Sequence, residues 1–160
     1  MANHSFSPVQ SEIVEMFVRL AVEMNMPRSM GEIYGALFVS EGPLCMDDLI
    51  DILDISKGSA SQGLRFLKGL GAVKTVYISG ERRDYYEAEI ELRKLVSGLL
   101  REKVQPHLED GKERLAKIRT QAGTAPDDVS DELQKRIEQL GKWQKRGERL
   151  MPLVLKLVEY

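Results

Sequence analysis

The apolar positions of the chain recur mostly at helical spacing. Ile13, Phe17, Leu20 and Met24 stand at i, i+4, i+7 and i+11, which predicts an amphipathic helix over residues 9 to 24 with those four on its inner face. Asn25-Met26-Pro27-Arg28 ends it. Ser29-Met30-Gly31-Glu32 fits a capping box, and Met30, Ile33, Tyr34, Leu37 and Phe38 follow as the stripe of a second helix. Glu41-Gly42-Pro43 stops that helix. Asp47 and Asp48 then favour a helix N-terminus electrostatically, and Leu49, Ile52 and Leu53 supply the apolar face of a helix of two turns.

A fourth helix is predicted over residues 57 to 70, separated from the third only by Asp54-Ile55-Ser56, with Ser56 as its cap. So short a turn between helices is helix-turn-helix spacing. At 100° per residue Ala60, Leu64 and Leu67 share one side, while Gly58, Ser59, Gln62, Arg65 and Phe66 share the other. Gly58, Ser59 and Ser61 keep the tip of this helix slim enough for a DNA major groove, and Gln62 and Arg65 are placed to reach base edges. Gly71 fits a left-handed cap. A β-branched run, residues 72 to 78, a turn at Ser79-Gly80-Glu81-Arg82 and a return strand over 84 to 88 then predict a hairpin with Arg82 and Arg83 at its tip. Those arginines are placed to meet a flanking minor groove or the phosphate backbone.

Beyond residue 90 the pattern is helical again. Leu92, Leu95, Val96, Leu99 and Leu100 form a stripe, and Leu108, Leu115 and Ile118 resume it after Pro106, which predicts a long helix kinked near that proline. Residues 122 to 128 read as a loop. A last helix carries Leu133, Ile137, Leu140, Met151, Val154 and Val158, with Gln144 and Gly147 in its seam and Pro152 bending it. A two-helix extension cannot bury both stripes alone, so pairing with a second copy of the chain is the expected solution.

Charge sharpens this picture where composition does not. The net charge is −2, but residues 41 to 55 carry five acidic side chains and no basic one, whereas residues 56 to 83 carry six basic side chains against one acidic, a local charge of +5. Positive charge concentrated on the helix and hairpin is the footprint of a surface that meets a polyanion. With 42% hydrophobic residues the chain can bury an ordinary core. The N-terminus lacks the basic and apolar regions of a leader, and no run approaches the roughly 18 apolar residues of a membrane span, so a cytoplasmic protein is expected. Cys45 is the one cysteine and is expected to be a partly buried small residue. His4 and His107 stand apart with no ligand-spaced partners, so neither a metal nor a cofactor is expected.

The stretch from residue 27 to 89 resembles the GbsR-type branch of the MarR-like winged-helix transcriptional regulators. The motifs that carry the resemblance are Pro27-Arg28-Ser29 with Gly31, Ile33-Tyr34-Gly35, Ile55-Ser56-Lys57-Gly58-Ser59 with Ser61, and Gly80 with Arg82 and Tyr86. It implies a homodimer that binds double-stranded DNA at a palindromic operator as a repressor or activator, one recognition helix per half-site. The positions it assigns to DNA are Ser56, Lys57, Ser59, Ser61, Gln62, Arg65 and Arg82; the tip geometry adds Gly58 and Arg83. By analogy alone it implies a small-molecule effector, a quaternary amine, for which Trp143 and nearby tyrosines are candidate cation–π groups, although a place in the dimer core is the favoured reading of Trp143.

The expected fold is therefore mainly α with a small β-hairpin, a winged helix-turn-helix with N- and C-terminal dimerisation helices. Its expected divisions are residues 1–28, a DNA-binding domain over 29–89, and a helical dimerisation region over 90–160. The competing class is a winged-helix module that docks on an acidic protein, with an outward Phe66 as its anchor. An enzyme is disfavoured, since the chain has no Ser-His-Asp, Cys-His or phosphate-loop constellation.

Overall fold

The computed structural model describes residues 6–159, which fall into two compact units that divide between Gly98 and Leu99. His4 lies outside the described residues. In the first unit the order is α1 (Pro8–Glu23), α2 (Arg28–Val39), β1 (Leu44–Cys45), α3 (Met46–Leu53), α4 (Lys57–Gly69), β2 (Val73–Val76), β3 (Tyr85–Ala88) and α5 (Leu92–Leu99). This is a winged helix-turn-helix.

The helix pattern holds at most positions, with two corrections. The capping box lies at α1 rather than α2: the Gln10 amide nitrogen of the backbone donates to Ser7 Oγ, and the Ser7 N–H donates to Gln10 Oε1 at 2.9 Å. Ser29 is already inside α2, whose cap is Pro27 with no side-chain hydrogen bond. Glu32 is committed to Arg28 instead, at 2.8 Å. The second correction concerns the phase of α1, which buries Val14, Val18 and Ala21 and leaves Leu20 53% exposed. The cause is glycine in α2. A Cβ on Gly31 would lie 2.5 Å from Val18 Cα, and one on Gly35 would lie 2.9 Å from Val14 Cα. Two glycines one turn apart let the α2 backbone settle onto the small residues of α1, and a pattern weighted to large side chains does not see such a seam.

Ile33, Leu49 and Cys45 are among the most deeply buried side chains of the first unit. Tyr34 ties the centre of α2 to the chain after β3, its hydroxyl donating to the Glu89 carbonyl at 2.6 Å. Burial, with the nearby Glu89 charge adding to it, pushes the Tyr34 phenol up to about 12. The hairpin expected from sequence is the larger part of a three-stranded antiparallel sheet, order β1-β3-β2, because Leu44 and Cys45 pair with Tyr86 and Tyr85. Two residues are too few for a strand to show in an alternation pattern.

In the second unit the interruption expected near Pro106 takes the form of a π-helical turn, Leu100–Val104, that leads into α6 (Gln105–Thr124). Proline has no N–H to donate four residues back, and the ladder slips so that the Gln105 N–H donates to the Leu100 carbonyl. A 3₁₀ turn, Pro126–Asp128, precedes α7 (Asp131–Glu159), which continues as helix through Pro152. Gln144 stands in the seam, as the spacing predicts, and donates to the Leu108 carbonyl at 2.6 Å. Gly147 faces Leu108 and Gly141 faces Arg119, so α6 and α7 run antiparallel at close approach. Leu115 and Ile137 are buried, while Leu157 is 80% exposed. Among the described residues no helix is long and apolar enough to cross a membrane.

Candidate nucleic-acid interface

The geometry of α4 is set at its two ends and on one side. Asp54, in the left-handed region at φ 51°, ends α3 and turns the chain, and Ser56 starts α4 by accepting from the Ser59 N–H at 3.1 Å. Gly71, at φ 69°, closes the other end and hands the chain to β2. Ala60, Gly63, Leu64 and Leu67 form the buried side. At Gly63 the approach is close enough that a Cβ would collide with Ile33 Cδ1, which fixes α4 against the middle of α2. On the opposite side Gly58, Gln62, Arg65 and Gly69 are exposed.

Lys57, Gly58, Gln62 and Arg65 are exposed, as expected; Ser59 and Ser61 are half-buried on the two shoulders of the helix. Ser56 and Ser59 are partly spent on each other, their hydroxyl oxygens 3.0 Å apart. Their first task is capping. Phe66, expected to face outward, is half-buried. At 180° from the wheel position of Lys57 it lies at the border of the buried side rather than at the crest, a distinction that a two-faced division of the wheel does not make.

The hairpin separates its two arginines. Gly80 adopts φ 88° and Glu81 N–H donates to the Ile78 carbonyl at 3.1 Å, which makes the turn. Arg82 is exposed and has no ion pair among the described residues. Arg83 folds back instead, donating to Cys45 Sγ at 3.8 Å and reaching Asp47 Oδ2 at 3.4 Å. The sulfur contact first and the aspartate second raise the guanidinium pKa further above its ordinary value. Both members of the Arg83–Asp47 pair are 62% exposed, so a passing phosphate can compete for the arginine. Cys45 is buried at the cap of α3, where Asp48 supplies the carboxylate that accepts from the Cys45 N–H at 2.8 Å.

Lys57, Arg65, Lys68 and Arg82 thus present positive charge without an intramolecular ion-pair partner among the described residues. Lys68, which the sequence marks only as part of the charge sum, stands over the Tyr86 ring at 5.8 Å from its centroid. Its spacing three residues after Arg65 is the signal that could have found it. Tyr77, the residue after β2, is 84% exposed.

Comparison with known proteins bears on this surface. Residues 37–75 match the helix-turn-helix family model described as bacterial regulatory protein, arsR family. That span runs from the end of α2 through α3 and α4 into β2. No curated protein matches the chain. Seven solved chains do; one, described as a transcriptional regulator, is 17% identical, covers 95% of this chain and 97% of its own, and superposes with a TM-score of 0.69. At that identity the likeness establishes the fold, a winged helix-turn-helix with a helical extension.

Proposed function

We propose that this chain is a DNA-binding transcriptional regulator, a homodimeric repressor in which α4 enters the major groove of each half of a palindromic operator while Arg82 meets the flanking backbone or minor groove. The observation that carries the reading is the exposed side of α4: a slim start at Gly58, the side chains of Gln62 and Arg65 beyond it, and cations with no ion pair among the described residues. The arsR-family match over the same helix-turn-helix supports it independently. Membership of the GbsR-type branch of the MarR-like regulators rests on the motif resemblance between residues 27 and 89.

Support for the homodimer comes from apolar surface within each unit. Val9, Met16 and Leu20 are exposed along one line of α1, and Leu150, Leu153 and Leu157 along α7, more than isolated surface residues would explain. In such a dimer the two recognition helices stand about 34 Å apart, one turn of DNA. The competing reading, a protein-docking module anchored by Phe66, loses its foothold because that ring is half-buried in its own chain.

Arg65→Ala tests the assignment. Loss of duplex binding with the circular dichroism spectrum retained is the expected result; unchanged binding by a folded variant counts against α4 as the reading element.

A further inference from the structure

A notch of about 310 Å3 opens on one shoulder of α4, lined by Met46, Ser61, Leu64, Arg65, Lys68 and Tyr86. Its apolar floor comes from Leu64 and Met46, and its rim carries two cationic side chains, a serine hydroxyl and a phenol. Among the described residues no carboxylate lines it. Among the described residues neither Arg65 nor Lys68 has an ion pair, so the charge gathered here is uncompensated by the protein.

The position of the notch decides what it can meet. An α-helix with side chains is about 10–12 Å across and the major groove is about 12 Å wide, so the crest of a docked helix faces bases while its shoulders face the two sugar-phosphate walls. On α4 the crest holds Gly58, Gln62 and Gly69, and the shoulder towards β3 holds Ser61 and Lys68, with Arg65 between them. Tyr86 belongs to β3, the central strand of the sheet, and is therefore a fixed wall. Its ring holds the Lys68 ammonium in place through its negative face. A lysine is a compact point charge suited to a phosphate oxygen, and here it is held before the ligand arrives.

We infer that this notch is a phosphate clamp for the DNA backbone, in which Lys68 makes the ionic contact, Ser61 donates a hydrogen bond, and Tyr86 positions Lys68. The inference rests on the proposed function and goes beyond it. It assigns Lys68, which no motif marks, and Tyr86, which the resemblance marks without a role at DNA, to positioning α4 in the groove rather than to reading sequence.

The test measures binding of the full chain to a random-sequence duplex and to the duplex upstream of its own gene across a salt series, for wild type, Lys68→Gln, Lys68→Arg, Tyr86→Leu and Tyr86→Phe. Lys68→Gln is expected to lower affinity for both duplexes by the same factor. It also flattens the salt slope by about 0.9 per engaged helix, so the loss between about 50 and about 200 mM salt shrinks about 3.5-fold for one helix and about 12-fold for the two helices of a dimer. Lys68→Arg restores the slope, Tyr86→Phe retains it, and Tyr86→Leu reduces it. An unchanged slope in folded Lys68→Gln overturns the clamp while leaving the regulator intact, and a loss confined to the upstream duplex overturns it in favour of base reading. Absence of wild-type binding to either duplex at low salt overturns the proposed function and the clamp together.

Discussion

Gly31→Ala adds one methyl group at the tightest approach between α1 and α2. The new Cβ would stand 2.5 Å from Val18 Cα and 2.6 Å from the Phe17 carbonyl oxygen. Ordinary contact between such atoms is about 3.5–4.0 Å, so α1 must retreat by about 1 Å. Both obstacles are backbone, and no rotamer change relieves them. Overpacking of this kind costs about 1–3 kcal/mol, and an immovable neighbour puts Gly31 at the top of that range; the helix propensity gained by replacing glycine returns about 1 kcal/mol, leaving a net loss of about 2 kcal/mol. Gly69→Ala is the control. Nothing lies within 4 Å of its new Cβ, so the propensity gain stands alone and stability rises by up to about 1 kcal/mol. Gly63→Ala falls between, since its obstacle is the end of the Ile33 side chain. Urea unfolding followed by circular dichroism ranks the three through their midpoints. If Gly31→Ala unfolds at the same midpoint as Gly69→Ala, the glycine seam does not set the phase of α1.

Three further outcomes are expected. Tyr34→Phe deletes the hydrogen bond to the Glu89 carbonyl and lowers stability by about 1 kcal/mol in the same urea assay. Because the folded Tyr34 phenol is raised to about 12, the unfolded chain ionises first; wild-type stability therefore falls as pH rises from about 10, and Tyr34→Phe flattens that fall. Glu89 behaves oppositely: the Glu91 N–H and the Lys94 ammonium hold its carboxyl below the ordinary value, so its contribution is present above the unfolded pKa and is lost as pH falls through the lower folded one. Glu89→Gln removes that part of the acid dependence, as stability curves below about pH 5 will register. For the proposed homodimer, sedimentation of the wild type at twice the chain mass is expected, with Leu20→Glu and Leu153→Glu shifting the boundary towards the monomer.

The helix-turn-helix was legible because its signals are local and redundant. The Ser56 cap, the three-residue turn and the Ala60, Leu64, Leu67 face each point to the same α4, and each lies where expected. The strand β1 was not legible, because two residues carry no period and Leu44 and Cys45 become a strand only by pairing with residues some 40 positions away. The phase of α1 was misread for a related reason: Leu20 and Met24 are the larger side chains, but the buried side is chosen by the glycines of another helix. Within the candidate interface, charge and composition marked α4 and the hairpin as a surface. They could not distinguish Arg82, which is exposed and has no ion pair among the described residues, from Arg83, which turns back to Asp47 and Cys45, nor reveal that Lys68 rests on Tyr86. Adjacent residues of a turn point in different directions, and contacts between a helix and a strand become visible only when both are placed.

The most direct measurement is fluorescence anisotropy of the wild-type protein with the duplex upstream of its own gene, at low and at moderate salt, in competition with random duplex. Binding that resists the random competitor and weakens steeply with salt is the predicted result, since several phosphates and a set of base edges are engaged together. No binding at low salt, or binding that random duplex displaces equally well, would contradict the assignment of α4 as a sequence-reading helix.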